Sequence, residues 1–143
     1  MRDLENGTKI TQLVDPVVGT ADVNSASVDM KGYNDVMFVV NLGESGDTLS
    51  GSVKVEFEIE DSSDDSTWAD AADADLTTTV SGTNTGCFGV VDDAAEDDAV
   101  FVTRYIANER YVRVVLNFTG THTNGIPVSV TAIQSNPQVL PAA

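Results

Sequence analysis

The sequence predicts an all-β protein: a small antiparallel β-sandwich or β-barrel of about six to eight strands with an extended N-terminal arm. Three observations predict it. Apolar and polar residues alternate with a period of two over Ser52–Asp61 and Tyr111–Thr119. Turn compositions rich in Gly, Asn and Ser recur at short intervals. Almost no stretch keeps the apolar spacing of a helix.

In chain order, residues 1–20 read as the arm. Leu4, Ile10, Leu13, Val14, Val17 and Val18 keep neither a helical nor a strict strand period, and Pro16 and Gly19 punctuate the stretch. A short strand over Ser25–Met30 and a turn at Lys31–Asn34 follow. Asp35–Leu42 (DVMFVVNL) is nearly all apolar, which suits a strand covered on both faces. Gly43–Asp47 (GESGD) is a turn. In Ser52–Asp61, Val53, Val55, Phe57 and Ile59 point to the core, while Lys54, Glu56, Glu58 and Glu60 make an acidic ladder facing water.

Ser62–Leu76 is an acidic loop with a helical turn after Thr67, and its Trp68 plugs the loop onto the sandwich edge. Leu76–Val80 and Cys87–Val91 are short strand candidates, and Asp92–Asp98 is a second acidic loop. Ala99–Ile106 and Tyr111–Thr119 are strands joined by the turn ANER. Gly120–Gly125 (GTHTNG) is a hairpin loop into Ile126–Gln134, where Pro127 marks an edge position or a strand beginning. The division is thus an arm over 1–20 and a sandwich or barrel over 21–143.

The chain has 143 residues with a formal net charge of −16, enough for one domain that buries a core without metal or disulfide staples. Residues 51–100 carry 14 acids against Lys54, whereas residues 101–143 carry Glu109 against Arg104, Arg110 and Arg113. Such a balance argues against a nucleic-acid footprint and against docking on an anionic membrane. The lone Cys87 has no disulfide partner within the chain. Apolar runs are too short for a spanning helix, and MRDLENGTKI shows no secretory signal pattern.

Chemistry is sparse. The sole histidine, His122, falls in the GTHTNG loop and reads as an exposed turn residue. Cys87 has no neighbouring base and reads as a small buried hydrophobe. One Cys and one His make no transition-metal site, so no catalytic residue, metal or cofactor is assigned and the chain is read as not an enzyme. Asp61, Asp64, Asp65, Asp70, Asp73 and Asp75, with Asp92, Asp93, Glu96, Asp97 and Asp98, read as an acidic surface facing solvent. They offer hard oxygen ligands for calcium, but EF-hand spacing is absent. Arg104, Arg110 and Arg113 either pair with acids of the same molecule or form a contact patch for a partner.

Two stretches carry a resemblance. The run Phe57–Trp68 (FEIEDSSDDSTW), and Tyr105 with Glu109–Val114 (ERYVRV) followed by Gly120–Thr121 and Gly125–Val130 (GIPVSV), are similar to small structural proteins of tailed phages. The likeness spans about residues 25–141 and is greatest to capsid decoration (cement) proteins, such as those of marine roseobacter-infecting siphophages. It implies a non-enzymatic virion protein on the outer surface of the head, made in the host cytoplasm. The implied partners are the major capsid protein and sister copies in a homotrimer at threefold or quasi-threefold positions, with neither nucleic acid nor membrane. On this reading Leu4, Ile10, Leu13 and Val14 of the arm, with Arg104, Arg110 and Arg113, contact the shell or a sister subunit. Removing residues 1–19 is then expected to leave the sandwich folded but to abolish particle binding. The alternatives are a calcium-dependent, adhesin-like binding module, or a tail or head–tail connector component.

Overall fold

A computed structural model describes residues 4–139. It contains ten strands: β1 (Thr8–Gly19), β2 (Val23–Asn24), β3 (Val28–Asp29), β4 (Tyr33–Leu42), β5 (Lys54–Ser62), β6 (Ala69–Asp70), β7 (Cys87–Val91), β8 (Val100–Tyr105), β9 (Tyr111–Thr119) and β10 (Ile126–Pro137). A single 3-10 turn, Asp73–Asp75, is the only helical element among the described residues. The strands form two antiparallel sheets that do not close into a barrel. One has the order β1-β10-β4-β8; the other has β2-β9-β5-β6, with β3 also on β9 and β7 also on β5.

The core lies between the sheets because each long strand turns its alternate apolar residues inward. Val36, Phe38 and Val40 of β4 and Val128, Val130 and Ala132 of β10 are buried together with Val55, Phe57 and Ile59 of β5 and Val112, Val114 and Leu116 of β9. Burying each such side chain stabilises the fold by about 1.5–3 kcal/mol.

Several expectations are corrected. Most of the arm is β1, which lies along β10 from the pair Thr8–Ser135 to the pair Gly19–Ile126. The register shifts between Gln12 and Val14 and again between Val14 and Val17. These bulges reset the alternation, so the adjacent residues Leu13 and Val14 are both buried and no regular period survives in the sequence. Pro16, the bulges and the exposed Lys9 also blunt this edge against further pairing. The boundary drawn at residue 20 therefore cuts between a strand of the sheet and its sheet.

Pro127 stands at the beginning of β10, and β10 is a central strand, not an edge. The GTHTNG loop joins β9 in one sheet to β10 in the other, so it is not a hairpin. Leu76–Val80 forms no strand; Leu76 makes an isolated bridge to Tyr105. The helical turn expected after Thr67 is replaced by β6, with the 3-10 turn further on.

Candidate interaction surface

The two sheets present very different outer faces. On the six-stranded sheet, Lys54, Glu56, Glu58 and Glu60 of β5 point away from the core, but they do not face open water. Glu56 is 3 % exposed and Glu58 4 % exposed. The segment after the 3-10 turn folds over them: Thr83 donates its backbone N–H (2.9 Å) and its hydroxyl (2.7 Å) to Glu56, and Lys54 pairs with the same carboxylate at 3.1 Å. Burial pushes the Glu56 carboxyl up, but the Thr83 and Lys54 contacts outweigh it and leave the group below its ordinary range.

At Glu58 burial wins. It raises the carboxyl against hydrogen bonds from Asn117 and Asn84, with Asp70 and Glu60 adding to the rise. The folded chain thus keeps the Glu58 proton to higher pH than the unfolded chain. Glu58 therefore contributes stability at acid pH that is lost as pH rises through its folded value. Glu58→Gln is expected to raise stability at neutral pH by on the order of 1 kcal/mol, with the gain vanishing near pH 4. Urea unfolding at the two pH values checks this, and a variant less stable than the parent at neutral pH contradicts it.

The arginines are engaged within the chain. Arg113 pairs with Glu60 at 2.6 Å and lies 4.3 Å above the Trp68 ring, which holds the acidic loop to β9. Arg110 makes a two-pronged pair with Asp29 (3.1 and 3.0 Å) and draws its carboxyl below the ordinary range. Arg104 pairs at 2.6 Å with Asp35, which also accepts from Ser135 and Asn136. Burial would push the Asp35 carboxyl up, but those three donors together leave it lowered.

Among the acids, Asp64, Asp65, Asp70, Asp73, Asp93, Glu96 and Asp98 are exposed, whereas Asp61, Asp75, Asp92 and Asp97 are half-buried. Several serve the fold. Asp64 accepts the N–H groups of Ser66 and Thr67 and sits well below the ordinary carboxylate range. Asp73 accepts the N–H of Gly86, and Asp97 that of Ser45. Asp61 accepts the hydroxyl of the buried Tyr105 at 2.8 Å; burial, then that bond, pushes the phenol upward. Glu58, Glu60 and Asp70 bring carboxylate oxygens within 4.8 Å of one another, with Arg113 already on Glu60.

The outer face of the four-stranded sheet is the opposite case. Residues directly across a ladder share a face. Ile10, Ile133, Met37 and Arg104 form one row across β1, β10, β4 and β8. Gln12, Thr131, Val39 and Val102 form the next, and Ser129, Asn41 and Val100 continue it. In these rows and the adjoining one of Thr8, Ser135 and Asp35, the charges are Arg104 and Asp35, which neutralise each other. Ile10 is 67 % exposed, Val100 59 % and Val102 40 %. This is a face of near-zero net charge that mixes exposed apolar residues with small polar ones, on a chain of net charge −16.

That face explains one sequence signal that was misread. DVMFVVNL is apolar at both parities, which suggests a strand covered on both sides; here the even positions are buried, while Met37 and Val39 are only half-buried and Asn41 is exposed. Of the proposed contact residues, Ile10 lies on this face and Leu4 is exposed just before β1, whereas Leu13 and Val14 are spent in the core. Arg104 lies on the face within its ion pair; Arg110 immediately precedes β9 and Arg113 lies in β9, a strand of the other sheet. Met37, Val39, Val100, Val102 and Ile133 were missed. Their signal was the two-sided apolar character of β4 and the AVFV run of β8.

No family model and no curated protein matches the chain. Among solved structures it is similar to the SPBc2 prophage-derived protein YomS, with 11 % identity over 90 % of this chain and 93 % of that one at a TM-score of 0.49. A likeness this distant decides neither function nor partner.

Proposed function

We propose that this chain is a non-enzymatic capsid decoration protein of a tailed phage, seated on the outer surface of the head as a homotrimer between major capsid protein subunits. The observation that carries the reading is the uncovered face of the four-stranded sheet, whose only charges in the rows named above, Arg104 and Asp35, neutralise each other and whose Ile10, Val100 and Val102 are exposed. Its exposed apolar residues gain by burial against another neutral surface. A shell subunit supplies one, and the lattice presents many copies at once, so modest single contacts suffice. The strong net negative charge of −16 on the rest of the chain keeps loaded particles apart. The resemblance of the FEIEDSSDDSTW and RYVRV stretches to decoration proteins supports the same assignment.

The test is occupancy on phage heads assembled without the protein. Ile10→Asp and Val102→Asp each place a charge on an exposed position of the face, so the fold is retained. Each is expected to lower head binding by about tenfold or more, equivalent to about 1.4 kcal/mol. Asp93→Asn, in an exposed acidic loop, is expected to leave binding unchanged. Full occupancy by both Asp variants, or binding to tails in place of heads, would overturn the proposal.

A further inference from the structure

The loop from β9 to β10 is fastened to the segment leaving β4 by the Asp47 carboxylate, by the Gly46 N–H donating to the Gly125 carbonyl (2.9 Å) and by the Asn124 side-chain amide donating to the Gly46 carbonyl (3.0 Å). Asp47 accepts the backbone N–H of Asn124 (3.0 and 3.1 Å to its two oxygens) and of Gly125 (2.7 Å), together with the Asn124 side-chain amide at 3.2 Å. The Asn124 N–H, followed by those of Gly125 and Thr123, holds the Asp47 carboxyl below its ordinary range against the effect of burial. The loop turns back through left-handed backbone at Gly120 (φ 82°) and Gly125 (φ 74°), conformations that favour glycine.

His122 sits inside this loop and is buried, not exposed as its turn setting suggests; its side chain is 0 % accessible. The ring meets Phe118 edge-on, with centroids 5.0 Å apart. Its Nε2 lies 3.1 Å from the carbonyl oxygen of Thr119. A carbonyl only accepts, so Nε2 carries a hydrogen, and in the neutral ring Nδ1 is left with a lone pair. Nδ1 is buried with no hydrogen-bond partner, and Oδ2 of Asp47 lies 4.0 Å from it. Two acceptors therefore face each other across a buried gap.

We infer that His122 is a proton-operated clasp: a second proton, taken at Nδ1, turns its contact with Asp47 from repulsive to attractive and tightens the β9–β10 loop onto the segment leaving β4. Asp47 is the charged group that this segment presents to the ring. The loop GTHTNG carries no other acid or base. On the neighbouring elements, Lys54, across from Thr119, is turned to Glu56. Asp22 is held by the Phe118 N–H, and Asp97 by that of Ser45. Glu44 is exposed at the cleft that Asp47 also lines. The clasp closes when Nδ1 is protonated and loosens when it is not.

Hydrogen exchange of the Asn124 and Gly125 amides, expressed as protection factors, reads the clasp directly. In the full chain, protection is expected to be about tenfold greater at about pH 5.5 than at about pH 8. In His122→Gln, whose side-chain amide still donates to Thr119, protection is expected to be equal at the two pH values. Equal protection in the parent, or the same rise in His122→Gln, overturns the inference. The parent's imidazole nitrogen spectrum decides the matter without any variant: Nδ1 protonated at the lower pH supports the clasp, and Nδ1 unprotonated there refutes it.

Discussion

Removal of residues 1–19 is expected to unfold the protein. The truncation deletes β1, which forms a ladder with β10 from Thr8–Ser135 to Gly19–Ile126. It also takes Leu13 and Val14 out of the core, where they are 7 % and 8 % exposed. Two such side chains contribute about 1.5–3 kcal/mol each. The loss of the ladder further strips partners from one side of β10 and opens Val130 and Val128 to water. Against a typical domain stability of about 5–15 kcal/mol, the combined loss leaves little or no folded population. Far-UV circular dichroism and a thermal melt of the truncated chain check this. A cooperative melt at the parent temperature would show that β1 is dispensable.

Phe57→Ala is expected to destabilise the sandwich by about 4 kcal/mol. Phe57 is 0 % exposed and lies on β5 at the centre of the six-stranded sheet. Its ring meets Phe88 of β7 at 6.1 Å between centroids and Phe101 of β8 at 5.2 Å. Because β8 belongs to the other sheet, Phe57 ties the two layers together as well as filling space between them. Truncation forfeits the transfer energy of the ring and leaves a cavity, since the two remaining rings sit on different sheets and do not both move into it. The shift of the urea midpoint measures the loss. A loss under about 1 kcal/mol would mean that Phe88 and Phe101 collapse into the gap.

How much of this was legible in the sequence follows from which forces are local. Strands such as Tyr111–Thr119 and Cys87–Val91 were readable to the residue because alternation and turn chemistry act within a few positions. β1 was unreadable as a strand because bulges, which depend on its partner, broke its period. Glu56 and Glu58 looked solvated because nothing local announces that Thr83 and Asn84 fold back over them. His122 looked exposed for the same reason: the Asp47 segment that packs beside its ring lies far away in sequence. The ion pairs of Arg104 and Arg110 join residues far apart in the chain, so composition suggested partners without naming them. The candidate surface was half legible. The two-sided apolar character of β4 was plain, but only the fold tells which side is left open.

The position of β10 governs how the chain is made. Among the described strands it is the last in chain order, yet it is the one that separates β1 from β4 in the finished sheet. Until residues 126–137 emerge, β1 waits without a ladder while the strands of the other sheet, β5 and β9 among them, are already complete. Synthesis thus delivers one layer early and withholds the keystone of the other, so closing the four-stranded sheet depends on contacts between segments far apart in sequence. A product interrupted before β10 therefore lacks the middle of its four-stranded sheet, with β1 cut off from β4.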